Sequence, residues 1–486
     1  MTEIPDYASL PERAAQTWPD RIALRFQGES WTYSDFADSV TRAEISLRRV
    51  GVGVGVGTRT ALLVENRPEY VIAQFALARI GAVFVTPNPY WTDHEIRAAL
   101  DGAHVTAAVY SQRHRTVAAE SAIRLPVEDL VSPVEERTPP EPAERIRSGE
   151  HRDLFIPFSS GTTGHPKGVI HTHAGLSGGV HQLVTHLGLG ATDVLQISLP
   201  LCHVFGTSMM GAALAVGAQV TLFERFDLDA CLRHIRDDAV TVWPLAGTVA
   251  HQLLDIPHLG SADFPGLRYF MWGGSAVPAE VAKALTVRTG VDFLCSYGMT
   301  EAMTVAFNPV HDPADWRLDS PGYATEGTEI RLGPDDEIEV RGVSVARGYT
   351  TRTTDAAAAF TADGWFRTGD VGRIEPSGRI RIVDRRKDMI KVSGFQVAPT
   401  EVEQELLRHP VVDDVAVVGR PDDRHGERVV AYVVASSDIS VDDLRRFLGG
   451  RLATYKIPRE FSFVEVLPRT ASGKLQRSRL RTDGPR

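Results

Sequence analysis

RTALLVENRPEYVIAQFALARIGAVFVTPN, residues 59–88, changes its hydrophobic pattern twice in one short span. RTALLVEN (59–66) is a brief apolar run closed by polar residues, as a buried strand requires. PEYVIAQFALARI (68–80) reads as an amphipathic helix. GAVFVTPN (81–88) then reads as the next strand. The same alternation runs through the first 130 residues and implies α/β layers. A chain of 486 residues exceeds one ordinary core, so roughly two to four domains or lobes are expected.

Working outward, GVGVGVG (51–57) lacks the spacing of a dinucleotide fingerprint and reads as a loop leading into a strand. SPVEERTPPEPAERIRSGE (132–150) has no apolar period and reads as a surface connector to the strand DLFIPFSS (153–160). A second junction falls near VDRRKD (383–388). Beyond it, PTEVEQELLRHP (399–410) reads as a helix with a Thr cap, VDDVAVVGR (412–420) and ERVVAYVVA (427–435) as strands, and SVDDLRRFLGGRL (440–452) as a capped helix. The expected organisation is a large N-terminal region, 1–386, and a smaller C-terminal domain, 387–486.

Composition excludes several classes. The chain is 43% hydrophobic and 23% charged, an ordinary globular balance. Its formal net charge of −10 argues against broad nucleic-acid binding, which needs a basic surface. The opening MTEIPDYASLPERAAQ lacks a charged-then-apolar leader, and no apolar run reaches the ~18 residues of a membrane span. Cys202, Cys231 and Cys295 have neither metal-ligand spacing nor a disulfide pattern, which fits a reducing cytoplasm.

SSGTTGHPKGV (159–169) leaves the strand at 153–160 with glycines and hydroxyls suited to wrapping phosphate oxygens. It is not a P-loop. Counted from Gly161, Pro166 stands where the second Gly belongs, and Gly168 replaces the Ser or Thr that reaches Mg²⁺. Further on come MWGGSAVP (271–278), FLCSYGMTEAM (293–303), DGWFRTGDVGRI (363–374), IVDRRKDMIKVSGFQVAPTEVE (382–403) and LPRTASGKLQR (467–477). In this order the six stretches resemble the core motifs of the adenylate-forming superfamily, which includes acyl-CoA synthetases, firefly luciferase and peptide-synthetase adenylation domains. The resemblance spans residues 10 to 478 and is nearest to acyl-CoA ligases. It implies an α/β fold of layered N-terminal subdomains with a small mobile α+β C-terminal domain.

The resemblance also implies a chemistry. A carboxylate attacks the α-phosphate of MgATP, pyrophosphate leaves, and a thiol then displaces AMP from the acyl-adenylate. Ser159, Ser160, Gly161, Thr162, Thr163, Gly164 and Lys167 would hold the β- and γ-phosphates. Thr300 would bond the α-phosphate, and Glu301 would take Mg²⁺ as a hard oxygen ligand. Gly273, Gly274, Ser275 and Ala276, with Tyr297 and Gly298, would line the adenine slot, and Asp370 and Arg385 would clasp the ribose. Lys474 would lie over the reacting carboxylate and α-phosphate as a mobile point charge. Lys387 falls at the family's hinge, about which the domain swings to bring Lys391 and Gly394 to the adenylate for thiol attack.

For the acid, the stretches 203–210, 242–250 and 298–305 are the expected walls, with His203 on the carboxylate-entry side. HVFGTSMMGAALA (203–215) carries no acid to pair a substrate amino group. Met209, Met210, Trp243, Ala246, Gly247, Met299 and Met303 point to an apolar pocket for an aliphatic or aromatic monocarboxylate. The implied co-substrates are ATP with Mg²⁺ and coenzyme A. A carrier-protein thiol, a nitrogen nucleophile and an unusual oxyacid stand as alternatives, and a non-catalytic nucleotide-binding relative is a further one.

Overall fold

The computed structural model describes residues 6–52, 57–131, 151–159, 166–245, 247–274, 279–351, 358–392, 395–422, 426–449, 451–469 and 475–482. The connector at 132–150 and most of the GVGVGVG run lie outside them. Among the described residues the strands form four sheets. In one, strands Phe293–Met299, Tyr269–Trp272, Val242–Leu245, Val194–Ile197, Gln219–Leu222 and Ile22–Phe26 run parallel, with antiparallel strands at both edges. In a second, Asp153–Ser159, Val83–Thr86, Arg59–Leu63, Ala107–Tyr110 and Ile123–Pro126 run parallel, and Lys167–Thr172 turns back antiparallel against the first of them.

The opening stretch folds as its pattern predicts: strand Arg59–Leu63, helix Pro68–Arg79, strand Val83–Thr86. That helix is buried on nearly every side, as is Val204–Val216, and both belong to a core shared by the two sheets. Polar punctuation sets the boundaries of others. Thr32 with Asp35, and Thr92 with Glu95, form capping boxes that start Tyr33–Arg49 and Asp93–Gly102. The three cysteine thiols are buried, which pushes each up to about 12, as suits idle core residues.

From residue 390 onward the chain builds separate hydrophobic clusters. The hairpin Val412–Asp422 and Gly426–Ala435 is their sheet, with Pro399–Leu406 and Val441–Gly449 packed on it. Ser440 caps the second helix by accepting from the Asp443 N–H at 3.1 Å. The Thr cap of the first is a correction. Its N-cap is Ala398, and Thr400 lies inside the first turn, where its N–H donates to Asp384 Oδ2 at 2.8 Å. A carboxylate from the strand Ile380–Arg385 thus supplies the acceptor a capping hydroxyl would have given.

Candidate active site

Described residues of three of the motifs lie where parallel strands end, the usual place for a ligand in such sheets. Ser159 closes strand Asp153–Ser159, and Lys167 begins the strand that returns beside it. Gly273 and Gly274 follow Tyr269–Trp272 directly, and Tyr297 and Gly298 sit in the neighbouring strand Phe293–Met299. Gly274 has φ +80°, which favours glycine, and a Cβ on Gly298 would lie 2.3 Å from the Met303 carbonyl oxygen. Both glycines are therefore dictated by backbone geometry. Ser160 to Gly164, Ser275, Ala276, Gly394 and Lys474 lie outside the described residues.

Thr300 and Glu301 form the turn into the antiparallel strand Ala302–Phe307. The turn is held from two sides: Ala346 donates its N–H to the Glu301 carbonyl at 2.7 Å, and His171 Nε2 lies 2.7 Å from the Thr300 carbonyl. A carbonyl oxygen only accepts, so Nε2 carries the proton. Burial pushes His171 down to about 4, against the opposing pull of that carbonyl, and keeps the ring neutral. The Glu301 carboxylate receives two hydroxyls on one oxygen: Ser159 Oγ at 2.9 Å and Tyr349 at 3.1 Å from Oε1. Among the described residues no cluster of three or more His, Cys, Asp or Glu gathers around a metal position. A lone carboxylate beside hydroxyls suits Mg²⁺, which keeps its waters and takes its other ligands from phosphates.

Asp370 and Arg385 face each other across strands Phe366–Ile374 and Ile380–Arg385. Arg385 Nε reaches Asp370 Oδ1 at 2.7 Å, and the Tyr297 hydroxyl donates to Asp370 Oδ2 at 2.5 Å. Asp370 is buried and the Arg385 guanidinium half exposed, so the pair presents a buried carboxylate behind a half-exposed cation. Tyr297 itself is packed in an apolar cluster, where burial and then the Asp370 charge raise its phenol well above the ordinary value.

His203 is the N-cap of Val204–Val216, and the loop before it is pinned by Thr86, whose hydroxyl donates to the Cys202 carbonyl at 2.9 Å. Several expected pocket residues are corrected by burial. Met210 and Trp243 are 0% exposed and Met209 is 1%, so they present almost no surface to a pocket. In helix Val204–Val216 the Thr207 and Ser208 hydroxyls donate to the Leu201 and Val204 carbonyls, and both methionines belong to the core cluster. Met303 fills the space beside Gly179, with its sulfur 3.4 Å from Ser208 Oγ. Met299 packs beside Tyr297, while Ala246 and the surroundings of Gly247 lie outside the described residues.

Lys391 is exposed on the hairpin Ile390–Val392 and Phe395–Val397, its N–H bound to Glu427 Oε2 at 2.7 Å. Arg469 and Leu475, which flank the stretch ending in Lys474, form an antiparallel bridge. Arg469 also pairs with Asp414 at 2.7 Å, and both charges act on His251 of helix Gly247–Leu254, which burial holds below its usual range. The Arg469–Asp414 pair at the stem of the lysine stretch thus acts electrostatically on a helix that overlaps the expected acid wall 242–250. Sequence reasoning missed Tyr349 and His171, whose roles arise from sheet pairing and burial.

Residues 11–350 match the model of the AMP-binding enzyme family, and residues 401–474 match that of the AMP-binding enzyme C-terminal domain. The chain belongs to the AMP-binding enzyme family. This AMP-binding enzyme is 34% identical over 490 residues to a feruloyl-CoA synthase from Amycolatopsis, covering 97% of this chain and 98% of the relative. It is 33% identical over 537 residues to 4-coumarate–CoA ligase 2 of Oryza sativa subsp. japonica, covering 99% and 93%. Among solved structures, ATP-bound MatB from Rhodopseudomonas palustris matches with a TM-score of 0.89 and 27% identity over 98% of both chains. The amide bond synthetase McbA from Marinactinospora thermotolerans matches with a TM-score of 0.88 and 27% identity, covering 98% of this chain and 99% of that one. The adenylate-forming fold read from the motifs is thus borne out over the whole chain.

Proposed function

We propose that this AMP-binding enzyme is an AMP-forming acid–CoA ligase acting on an aromatic monocarboxylate of the hydroxycinnamate type. The observation that carries the reading is that Tyr297, in the strand leading to the Glu301 turn, holds the guanidinium-backed carboxylate of Asp370, while two hydroxyls hold Glu301 itself. Asp370 and Arg385 bind the ribose hydroxyls, a carboxylate being able to accept both at once. The loop from Ser159 to Lys167 holds the outer phosphates, and Glu301 with its neighbouring hydroxyls holds Mg²⁺. That ion, when bound, neutralises phosphate charge and favours departure of pyrophosphate. Lys474 stabilises the charge that builds as the acid attacks phosphorus, and His203 lines the acid's approach. The names of the two curated relatives support a hydroxycinnamate-like acid and coenzyme A as acceptor.

A hinge between Arg386 and Lys387 is supported by how each side is tied. Arg386 reaches Glu337 at 2.8 Å and donates its N–H to the Gly369 carbonyl at 2.8 Å, both in the N-terminal region. The Lys387 carbonyl and Asp388 are held instead by Arg481, near the end of the chain, at 3.3 and 2.9 Å. Asp388 and Met389 also donate their N–H groups back to the Arg385 carbonyl at 2.9 and 3.1 Å, so the exchange of Lys474 for the face around Lys391 opens this turn at the link. The fold shared with an amide bond synthetase supports a second reading, in which an amine takes the acyl group. Incubating the protein with ATP, Mg²⁺ and a panel of acids, with coenzyme A, a phosphopantetheinyl carrier or an amine, separates the two. Acid-dependent AMP and an acyl-CoA thioester are expected; AMP with amide alone would replace the ligase reading.

A further inference from the structure

Tyr349 belongs to none of the six motif stretches, yet it touches both ends of the phosphate-handling apparatus. The two-residue strand Gly348–Tyr349 adds to the sheet edge antiparallel to Lys167–Thr172, with Tyr349 opposite Val169. Arg347 donates its N–H to the Ile170 carbonyl and Thr350 to the Gly168 carbonyl, each at 2.9 Å. The Ala346 N–H meanwhile holds the Glu301 carbonyl at 2.7 Å. Residues 346–350 therefore stitch the Glu301 turn to the strand that begins with Lys167. On this backbone the Tyr349 hydroxyl reaches Glu301 Oε1 at 3.1 Å, and the Lys167 ammonium lies 6.0 Å from the ring centroid. That distance is at the outer reach of a cation–π attraction.

We propose that Tyr349 is a positioning residue for adenylation, fixing the Glu301 carboxylate for the metal and docking the Lys167 end of the phosphate loop beside it. The inference rests on the reading of Glu301 as the Mg²⁺ ligand. A phenol at neutral pH is a hydroxyl donor, and with Ser159 it loads both bonds onto Oε1. Two donors on one oxygen fix the plane of the carboxylate and leave the lone pairs of Oε2 unused by these hydroxyls. A metal ligand oriented in this way loses less freedom on binding, which is how outer partners tune metal affinity. The ring and the hydroxyl have separable tasks: the hydroxyl acts on Glu301, the ring on Lys167.

The experiment is ATP binding by calorimetry on the full chain at graded free Mg²⁺, beside unliganded melting temperatures. Wild type should bind ATP more tightly as Mg²⁺ rises. Tyr349→Phe keeps the ring and should need about tenfold more Mg²⁺ for half of that gain, with unchanged metal-free affinity and melting temperature. Tyr349→Leu should in addition weaken ATP binding at saturating Mg²⁺, because Lys167 loses its ring. A Tyr349→Phe variant with the wild-type Mg²⁺ requirement, whether or not its melting temperature falls, would overturn the proposal and leave Tyr349 a packing residue. Wild-type ATP binding that ignores Mg²⁺ would instead overturn the Glu301 reading, and this inference with it.

Discussion

Asp370 and Glu301 are each held by a tyrosine hydroxyl, but what completes the two carboxylates differs. Asp370 lies buried within a strand pair with the Arg385 guanidinium at 2.7 Å, so its charge is already matched. The described partners of Glu301 are two neutral hydroxyls on one oxygen, from Ser159 and Tyr349. A carboxylate matched from within can bind neutral hydroxyls such as those of a ribose. One held only by hydroxyls retains its charge for a cation that arrives with the substrate. Fold register decides the first case, since Asp370 and Arg385 are cross-strand partners. The second case depends on a turn pinned by distant strands, so it is the more easily disturbed.

The largest expected effect concerns the cation that neither carboxylate supplies. Lys474→Ala should lower acid-dependent ATP–pyrophosphate exchange at least about a hundredfold. Thioester formation from a supplied acyl-adenylate should persist if, as proposed, Lys474 serves only the adenylation half-reaction. Equal loss in both half-reactions would mean that the lysine serves the fold or both steps, and the division of labour would fall.

A smaller effect sharpens how the Glu301 turn is kept. His171 titrates at about 4 because it is buried, whereas the unfolded imidazole titrates near about 6.5. The unfolded chain therefore binds this proton more readily, and stability rises with pH across that window. His171's contribution is complete above about pH 6.5 and is lost progressively as pH falls toward 4. His171→Gln should flatten the loss of unfolding midpoint between pH 6.5 and 4, read by urea titration at several pH values. A slope identical to wild type would remove His171 from the acid response.

Much of this site was legible in the chain itself. Asp370, Arg385, Thr300 and Glu301 were named through the motifs of the family resemblance, and the structure pairs Asp370 with Arg385 and places Thr300 and Glu301 together before the strand Ala302–Phe307. The strand–helix–strand reading of 59–88 held because Pro68 starts the helix and the flanking strands are short and apolar. The Glu301–Tyr349 contact was not legible, since the partners lie 48 positions apart and meet only through the edge pairing with Lys167–Thr172. Met210 and Trp243 were misread because an apolar residue near a site looks the same in sequence whether it faces the pocket or the core. Thr400 was misread as a cap because Asp384, in another element, supplies the acceptor instead.

The central claim is that the two carboxylates serve different halves of ATP. Calorimetric binding of AMP and of ATP, each with and without Mg²⁺, to Asp370→Asn and Glu301→Gln tests it most directly. Asp370→Asn should weaken AMP binding by about tenfold or more, with or without metal, as loss of a charged hydrogen-bonding partner implies. Glu301→Gln should leave AMP affinity near wild type and abolish the gain in ATP affinity that Mg²⁺ brings. If Glu301→Gln weakened AMP as much as Asp370→Asn does, or kept the full Mg²⁺ gain for ATP, the division would be contradicted.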